Sequence, residues 1–266
     1  MSSPRRFLFI HVMKTGGTSF VFHLLQEFAP DEVYPSAGFD RRHATDAEPY
    51  GSIADLIAVT PERHAAIRMY AGHFPYMARE LIGGDLTTLT LLRDPVDRTV
   101  SLLKHFKRLY ERFHDAPFEQ IYEDPFVFRH FIENHQTKVF SVNPDDHPRT
   151  IASRVTYQQI DDYVTSGEAD RGGAGNDDTI AVDTQRFATA RENLARVDVV
   201  GLNERFDEFV ETLRARFGWW PAGMAGDARA NVSSEAWEVG AALRARIARD
   251  NAFDVELYEY AKSLAP

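Results

Sequence analysis

Short apolar runs recur along this chain, and a helical pattern follows each of them. Phe7–Val12 is the first such run, and the segment that follows it carries apolar side chains at helical spacing up to Phe28. Further runs are Ile67–Ala71, Thr87–Leu92 and Val197–Gly201. Because parallel strands are usually connected by helices, this alternation predicts a mostly parallel central sheet with helices on both faces. We therefore expect a three-layer α/β fold. The same reading of the sequence predicts a loop over Pro30–Tyr50, a long helix from Pro95 to about Phe113, and a helical tail over Glu235–Leu264 that breaks near Asn251.

Charge and composition exclude several classes of function. The formal net charge is −10, whereas binding to nucleic-acid phosphates needs a surplus of Lys and Arg, so we expect no nucleic-acid partner. The chain has no cysteine and hence no thiolate nucleophile, disulfide or Cys-type zinc site. No apolar run is long enough to cross a bilayer, and the start of the chain offers no signal-peptide pattern. These features predict a cytoplasmic protein without membrane contact.

The length suits one large domain. A chain of 266 residues can bury a sizeable core, and no internal repeat divides it, so we expect a single domain over residues 1–266. Residues 166–178 contain four glycines and no large apolar side chain, which predicts a flexible surface loop.

The first stretch that carries chemistry is His11–Ser19, between a predicted strand and a predicted helix. Gly16 and Gly17 let backbone N–H groups approach an anion closely, and the helix N-terminus adds partial positive charge. Lys14 adds a full charge, and hydroxyls come from Thr15, Thr18 and Ser19. The stretch therefore predicts a phosphate-binding loop, although a tight turn without a ligand also accounts for it. It is not a Walker A loop, because Lys14 precedes the glycines.

The second stretch is Leu91–Ser101, at the end of a predicted buried strand. Asp94 suits an N-cap and Pro95 the first helical position, so local structure alone accounts for both. Arg93 is different, because it stands at the sheet edge where open α/β folds bind ligands. Ser101 lies further along the same helix, and with Arg93 it would form a second anion site.

Together the two stretches resemble the nucleotide-binding signature of sulfotransferases, in particular the branch that includes the Golgi carbohydrate sulfotransferases. Lys-Thr-Gly-Gly-Thr-Ser is similar to the family's 5′-phosphosulfate loop, and Leu-Arg-Asp-Pro-Val-Asp-Arg with Ser101 is similar to its 3′-phosphate motif. Ala190–Leu194 followed by Val199–Phe206 resembles a late strand–helix unit of that branch, and Asp254–Tyr260 is also similar to the family. The resemblance is weak over residues 114–180. It implies a P-loop-like fold and the donor 3′-phosphoadenosine-5′-phosphosulfate (PAPS), with 3′-phosphoadenosine-5′-phosphate (PAP) as product.

The resemblance also implies roles for single residues. Lys14 would contact the oxygen that bridges phosphate and sulfur, and the amides from Gly16 to Ser19 would hold the 5′-phosphate. Arg93 and Ser101 would hold the 3′-phosphate. The family needs no metal, so we expect none.

A base for the acceptor hydroxyl is sought among ten histidines. His73 follows a predicted strand and so reaches the same sheet edge as Lys14 and Arg93, and Gly72-His73-Phe74 resembles the family segment with the catalytic histidine. Histidine suits a base that works near neutral pH. His11 competes on position, and either histidine could instead be structural. His105, further along the helix that carries Ser101, could line the acceptor cleft.

Three functions stay open at this point. The first is sulfuryl transfer from PAPS to a hydroxyl of a carbohydrate, glycoconjugate or small metabolite. The second is an ATP-dependent P-loop phosphotransferase, which the order of Lys14 and the glycines disfavours. The third is a catalytically silent nucleotide-binding relative. The sequence predicts neither the acceptor nor the oligomeric state.

Overall fold

The computed structural model describes residues 5–35, 53–146, 180–220 and 237–266. Within those ranges a five-stranded sheet has the order β2-β3-β1-β4-β5. Its strands are β1 (Arg6–Ile10), β2 (Val33–Tyr34), β3 (Met69–Tyr70), β4 (Leu86–Leu92) and β5 (Val199–Leu202). Every pairing between these neighbours is parallel. The predicted α/β fold with a parallel sheet is confirmed.

Helices connect the strands and cover the sheet. The described α-helices are α1 (Gly17–Glu27), α2 (Ile53–Ala58), α3 (Pro61–Ala66), α4 (Ala78–Ile82), α5 (Pro95–Leu109), α6 (Phe118–Glu123), α7 (Pro125–Val127), α8 (His135–Ser141), α9 (Thr184–Ala195), α10 (Phe206–Phe217), α11 (Ala241–Asp250) and α12 (Ala252–Leu264). Short 3-10 turns lie at Pro30–Glu32, Glu111–Phe113 and Asn203–Arg205, and a π-helical turn at Phe128–Ile132. Among the described helices, none has both the length and the apolar character to cross a membrane.

The central strand β1 is buried on both faces, because successive side chains of a strand point to opposite sides of the sheet. Phe9 packs in an apolar cluster with side chains of α1 and α10. Ile10 packs in a second cluster with side chains of α8, α9 and α12. These two clusters form the core on the two faces of the sheet, and they account for the continuous apolar character of β1.

Since all strands are parallel, their carboxyl ends lie at one edge of the sheet. His11 follows β1, Arg93 follows β4 and Asn203 follows β5, while His73 lies shortly after β3. The fold therefore brings residues from distant parts of the sequence to one edge, which is where open α/β sheets bind ligands.

Some local predictions differ from the structure. The segment after Pro30 was predicted as loop, but the short strand β2 forms there because it pairs with β3. A strand of two residues has no pattern of its own from which this pairing could be predicted. The long helix predicted to reach Phe113 ends at Leu109, because Tyr110 is extended. The break predicted near Asn251 is confirmed, since α11 ends and α12 begins there. The predicted flexible loop at 166–178 lies outside the described residues.

Candidate active site

The loop between β1 and α1 is built around two left-handed backbone positions. Lys14 has φ +68° and Gly16 has φ +93°. Gly16 is the N-cap of α1, so no capping side chain occupies the N–H groups of the first helical turn. Those groups and the positive end of the helix dipole suit an anion, as the sequence predicted.

Close packing requires glycine at both predicted positions. A Cβ on Gly17 would lie 2.0 Å from Nε2 of His11, and a Cβ on Gly16 would lie 2.4 Å from Nδ2 of Asn203. Both distances are far below ordinary contact, so the backbone of the loop lies directly against these two side chains. The glycines thus serve close approach as well as the turn itself.

Lys14 is the cation of this loop, and its surroundings lower its pKa. Burial, together with the smaller effects of the charges of Arg108, Arg93 and Arg98, lowers the pKa of Lys14 to about 8. The ammonium group is therefore charged at neutral pH, yet it lies among cations with which it cannot pair. An anion bound in the loop would relieve this repulsion.

Arg93 connects the second predicted site to the first. Its Nη1 donates to the carbonyl oxygen of Lys14 at 3.4 Å. The segment after β4 and the loop after β1, which the sequence placed at the same sheet edge, are therefore in contact. Gln136 fixes the Arg93 backbone, because its Oε1 accepts from Arg93 N at 3.2 Å and its Nε2 donates to Arg93 O at 2.9 Å. Within the described part of the chain, Nε of Arg93 is buried without a hydrogen-bond partner. This donor could serve a bound anion.

The start of α5 is built as predicted. Asp94 accepts hydrogen bonds from the N–H groups of Val96 and Asp97, each at 3.0 Å, and therefore acts as the N-cap. One turn into the helix, Arg98 is fully buried and donates to the carbonyl oxygens of Phe131 at 2.6 Å and Met13 at 3.4 Å. Arg98 thus fastens α5 to the backbone of the loop after β1.

The hydroxyl groups predicted at the mouth of the loop are not equivalent. Thr15 is completely buried, and its hydroxyl donates to the carbonyl oxygen of Val12 at 2.9 Å, so only its backbone remains for a ligand. Ser19 is half-buried in the first turn of α1. The side chain of Thr18 lies outside the described part of the structure. Ser101 is half-buried on α5, and its pairing with Arg93 stays a prediction.

His73 and His11 form a stacked pair beside the loop. Their ring centroids are 4.1 Å apart, and Nδ1 of His73 lies 2.8 Å from the carbonyl oxygen of His11. Because a carbonyl oxygen only accepts, Nδ1 carries the hydrogen in neutral His73 and Nε2 carries the lone pair. Burial is the main cause that lowers the pKa of His73, the hydrogen bond to the His11 carbonyl opposes it and the charge of Lys14 adds to it, and the resulting pKa is about 4. His73 is therefore neutral near pH 7, as a base must be.

Burial, with smaller effects of His73 and Lys14, holds the pKa of His11 well below its ordinary value. His11 is buried, and its ring contacts both the backbone of Gly17 and the ring of His73. It therefore connects the phosphate loop to the candidate base by direct packing. His105 also belongs to this region, because burial, together with the smaller effects of the charges of Lys14 and Arg108, lowers its pKa to about 3. His105 is therefore close enough to Lys14 for the charge of Lys14 to affect its pKa.

Four residues that position parts of the site were not predicted from the sequence. They are Gln136, Asn203, Glu204 and Asp254. Asp254 is buried in α12 and accepts hydrogen bonds from the backbone N–H groups of Gln136 and Thr137 at 3.1 and 2.7 Å. No local pattern marks such residues, because each acts on a segment that is distant in sequence. The stretches Val199–Phe206 and Asp254–Tyr260 gave a signal, through their resemblance to segments of the family.

A family model described as "Sulfotransferase family" matches residues 1–261. A search among curated proteins gives no match to this chain.

Proposed function

Since the chain belongs to the sulfotransferase family, we propose that it transfers a sulfuryl group from PAPS to a hydroxyl of a carbohydrate, glycoconjugate or small metabolite. The observation that carries this proposal is the contact between the two loops, in which Arg93 donates to the carbonyl of Lys14. Two cationic sites at the ends of the neighbouring strands β1 and β4 suit a nucleotide with phosphates at both its 5′ and 3′ positions.

The residues of this edge fit such a donor. The amides from Gly16 to Ser19 would hold the 5′-phosphate, because glycine backbone and a helix N-terminus meet there. Arg93, whose buried Nε has no partner among the described residues, would hold the 3′-phosphate with Ser101. PAPS supplies a sulfuryl group activated by its anhydride bond to phosphate. Lys14 would neutralise the charge that grows on the bridging oxygen as this bond breaks.

His73 would act as the general base. Its Nε2 would accept the proton of the acceptor hydroxyl while the hydroxyl oxygen bonds to sulfur and the bond from sulfur to the phosphate oxygen breaks. The carbonyl of His11 keeps Nδ1 protonated and so keeps the lone pair on Nε2. As in phosphoryl transfer, positioning and charge stabilisation are the main contributions of the protein.

Thermal unfolding with nucleotides separates the three candidate functions. PAP without Mg²⁺ should raise the melting temperature, because a ligand that binds only the folded state stabilises it. A shift with ATP and Mg²⁺ but not with PAP would support the phosphotransferase and refute our proposal. A shift with PAP, without transfer of sulfate to any acceptor, would identify a silent relative.

Labelled PAPS identifies the acceptor. The protein is incubated with labelled PAPS and fractionated extracts, and the labelled product is analysed by mass spectrometry. The expected product carries a sulfate ester on a former hydroxyl group. A protein in which Lys14 is replaced by Met is the matched control, because it keeps the volume of the side chain and loses the charge.

A further inference from the structure

Asn203 joins the end of β5 to the loop after β1. Its Nδ2 donates to the carbonyl oxygen of Thr15 at 3.0 Å. Because β4 lies between β5 and β1 in the sheet, this hydrogen bond crosses the end of β4. Gly16 lies against the same amide, with room for no side chain. Asn203 therefore holds the loop that carries Lys14.

Glu204, the next residue, holds the other loop. Its Oε1 accepts a hydrogen bond from the N–H of Asp94 at 3.1 Å, directly after Arg93. Its Oε2 accepts from the hydroxyl of Tyr258 at 2.7 Å. Tyr258 belongs to α12, so the carboxylate is fixed from two sides. Glu204 therefore ties the start of α5 to the end of β5.

We propose that Asn203 and Glu204 form a clamp that sets the separation between the 5′-phosphate site and the 3′-phosphate site. The two residues are consecutive in one 3-10 turn, Asn203–Arg205, so both hydrogen bonds start from the same short segment of backbone. The clamp rests on the proposed function, because only a nucleotide with two phosphates needs both sites at a fixed distance. In this role both are positioning residues.

A clamp of this kind has its own thermodynamic signature. When PAP has bound through one phosphate, its second phosphate binds intramolecularly, at an effective concentration set by the geometry of the two sites. A nucleotide with a single phosphate gains nothing from that geometry. Loss of the clamp should therefore weaken PAP far more than adenosine 5′-monophosphate or adenosine 3′-monophosphate.

Substitutions of matched size separate the hydrogen bonds from the packing. Asn203→Leu keeps the approximate size and adds no charge, but it removes the donor to the Thr15 carbonyl. Glu204→Ala removes the acceptor for the Asp94 N–H, whereas Glu204→Gln keeps an oxygen there. Arg205→Ala is the control from the same turn, where Arg205 contacts Glu208 and the carbonyl of Pro266.

Isothermal titration of each variant with PAP and with the two monophosphates tests the clamp. We expect Asn203→Leu and Glu204→Ala to raise the Kd of PAP about tenfold or more, and the Kd of each monophosphate less than about threefold. Glu204→Gln and Arg205→Ala should leave all three values within about twofold. Circular dichroism confirms that each variant is folded, and if Asn203→Leu does not fold, the Glu204 pair decides.

Two results overturn the clamp. One is an equal loss of affinity for all three nucleotides, which means general damage to the site. The other is an unchanged preference for PAP in both disruptive variants. The proposed function fails in a different way: the unaltered protein would then bind PAP no more tightly than either monophosphate.

Discussion

Substitution of Gly17 by alanine tests how closely the phosphate loop and the histidine pair are joined. The added methyl group would lie 2.0 Å from Nε2 and 2.1 Å from Cδ2 of His11. The ring of His11 is buried and stacks on His73 at 4.1 Å and on Phe9 at 5.3 Å. The collision therefore involves a buried ring that already packs against two other aromatic rings.

The expected cost follows from these distances. Ordinary contact begins at 3.4 Å, so the ring or the loop must shift by roughly 1.4 Å. Overpacking of a well-packed site costs about 1–3 kcal/mol. Alanine in place of glycine at a helical position returns up to about 1 kcal/mol. We therefore expect Gly17→Ala to lower the free energy of unfolding by about 1–2 kcal/mol, and a displaced ring to move His73 as well.

Urea denaturation measures the stability, and isothermal titration measures PAP binding. The partner variant is His11→Ala, which removes the ring that collides with the new methyl group. In the double variant the two effects should not add, and the coupling should recover about 1–2 kcal/mol. A Gly17→Ala protein with the stability and PAP affinity of the unaltered chain would refute the reasoning, and so would strictly additive effects.

The remaining predictions concern protonation and buried charge. The affinity for PAP should fall as the pH rises through about 8, because the pKa of Lys14 lies there and only the charged form attracts the anion. Titrations of Lys14→Arg with PAP between pH 7 and 9 should not show this fall. Arg108→Ala should move the midpoint of the fall to higher pH, because the charge of Arg108 lowers the pKa of Lys14, and an unmoved midpoint contradicts this assignment. His73→Ala should keep PAP binding and lose transfer in an assay with labelled PAPS, and retained turnover would transfer the role of base to His11 or another residue. Asp254→Ala should cost about 3 kcal/mol in urea denaturation, because buried N–H groups of α8 lose their acceptor, whereas Asp254→Asn, which keeps an oxygen, should cost less.

The sequence was sufficient where chemistry is local. The order of Lys14, Gly16 and Gly17 between a strand and a helix predicts an anion-binding turn, since strand end, glycine and helix start are all neighbours along the chain. Asp94 is a capping residue for the same reason, and the hydrogen bonds that it accepts from the N–H groups of Val96 and Asp97 confirm this. Strand alternation also predicted that His73 and Arg93 reach the same edge.

The sequence alone was not sufficient for the short strand β2, because it forms by pairing with β3 and not through its own pattern. Likewise, Thr15 was expected to present its hydroxyl at the mouth of the loop, and the structure buries it instead. Whether a threonine faces outward depends on which neighbours cover it, and these come from other parts of the fold.

By itself, then, the sequence determined the parallel sheet, the loop between β1 and α1, and the placement of the candidate residues at one edge. Each of these depends on periodicity or on residues that are adjacent in the chain. Only the tertiary structure decided that Asn203 and Glu204 hold the two loops, that Gln136 fixes Arg93, and that His11 separates Gly17 from His73. Those contacts join segments up to 188 positions apart, and hydrogen bonds over such distances arise from the packing of the whole chain.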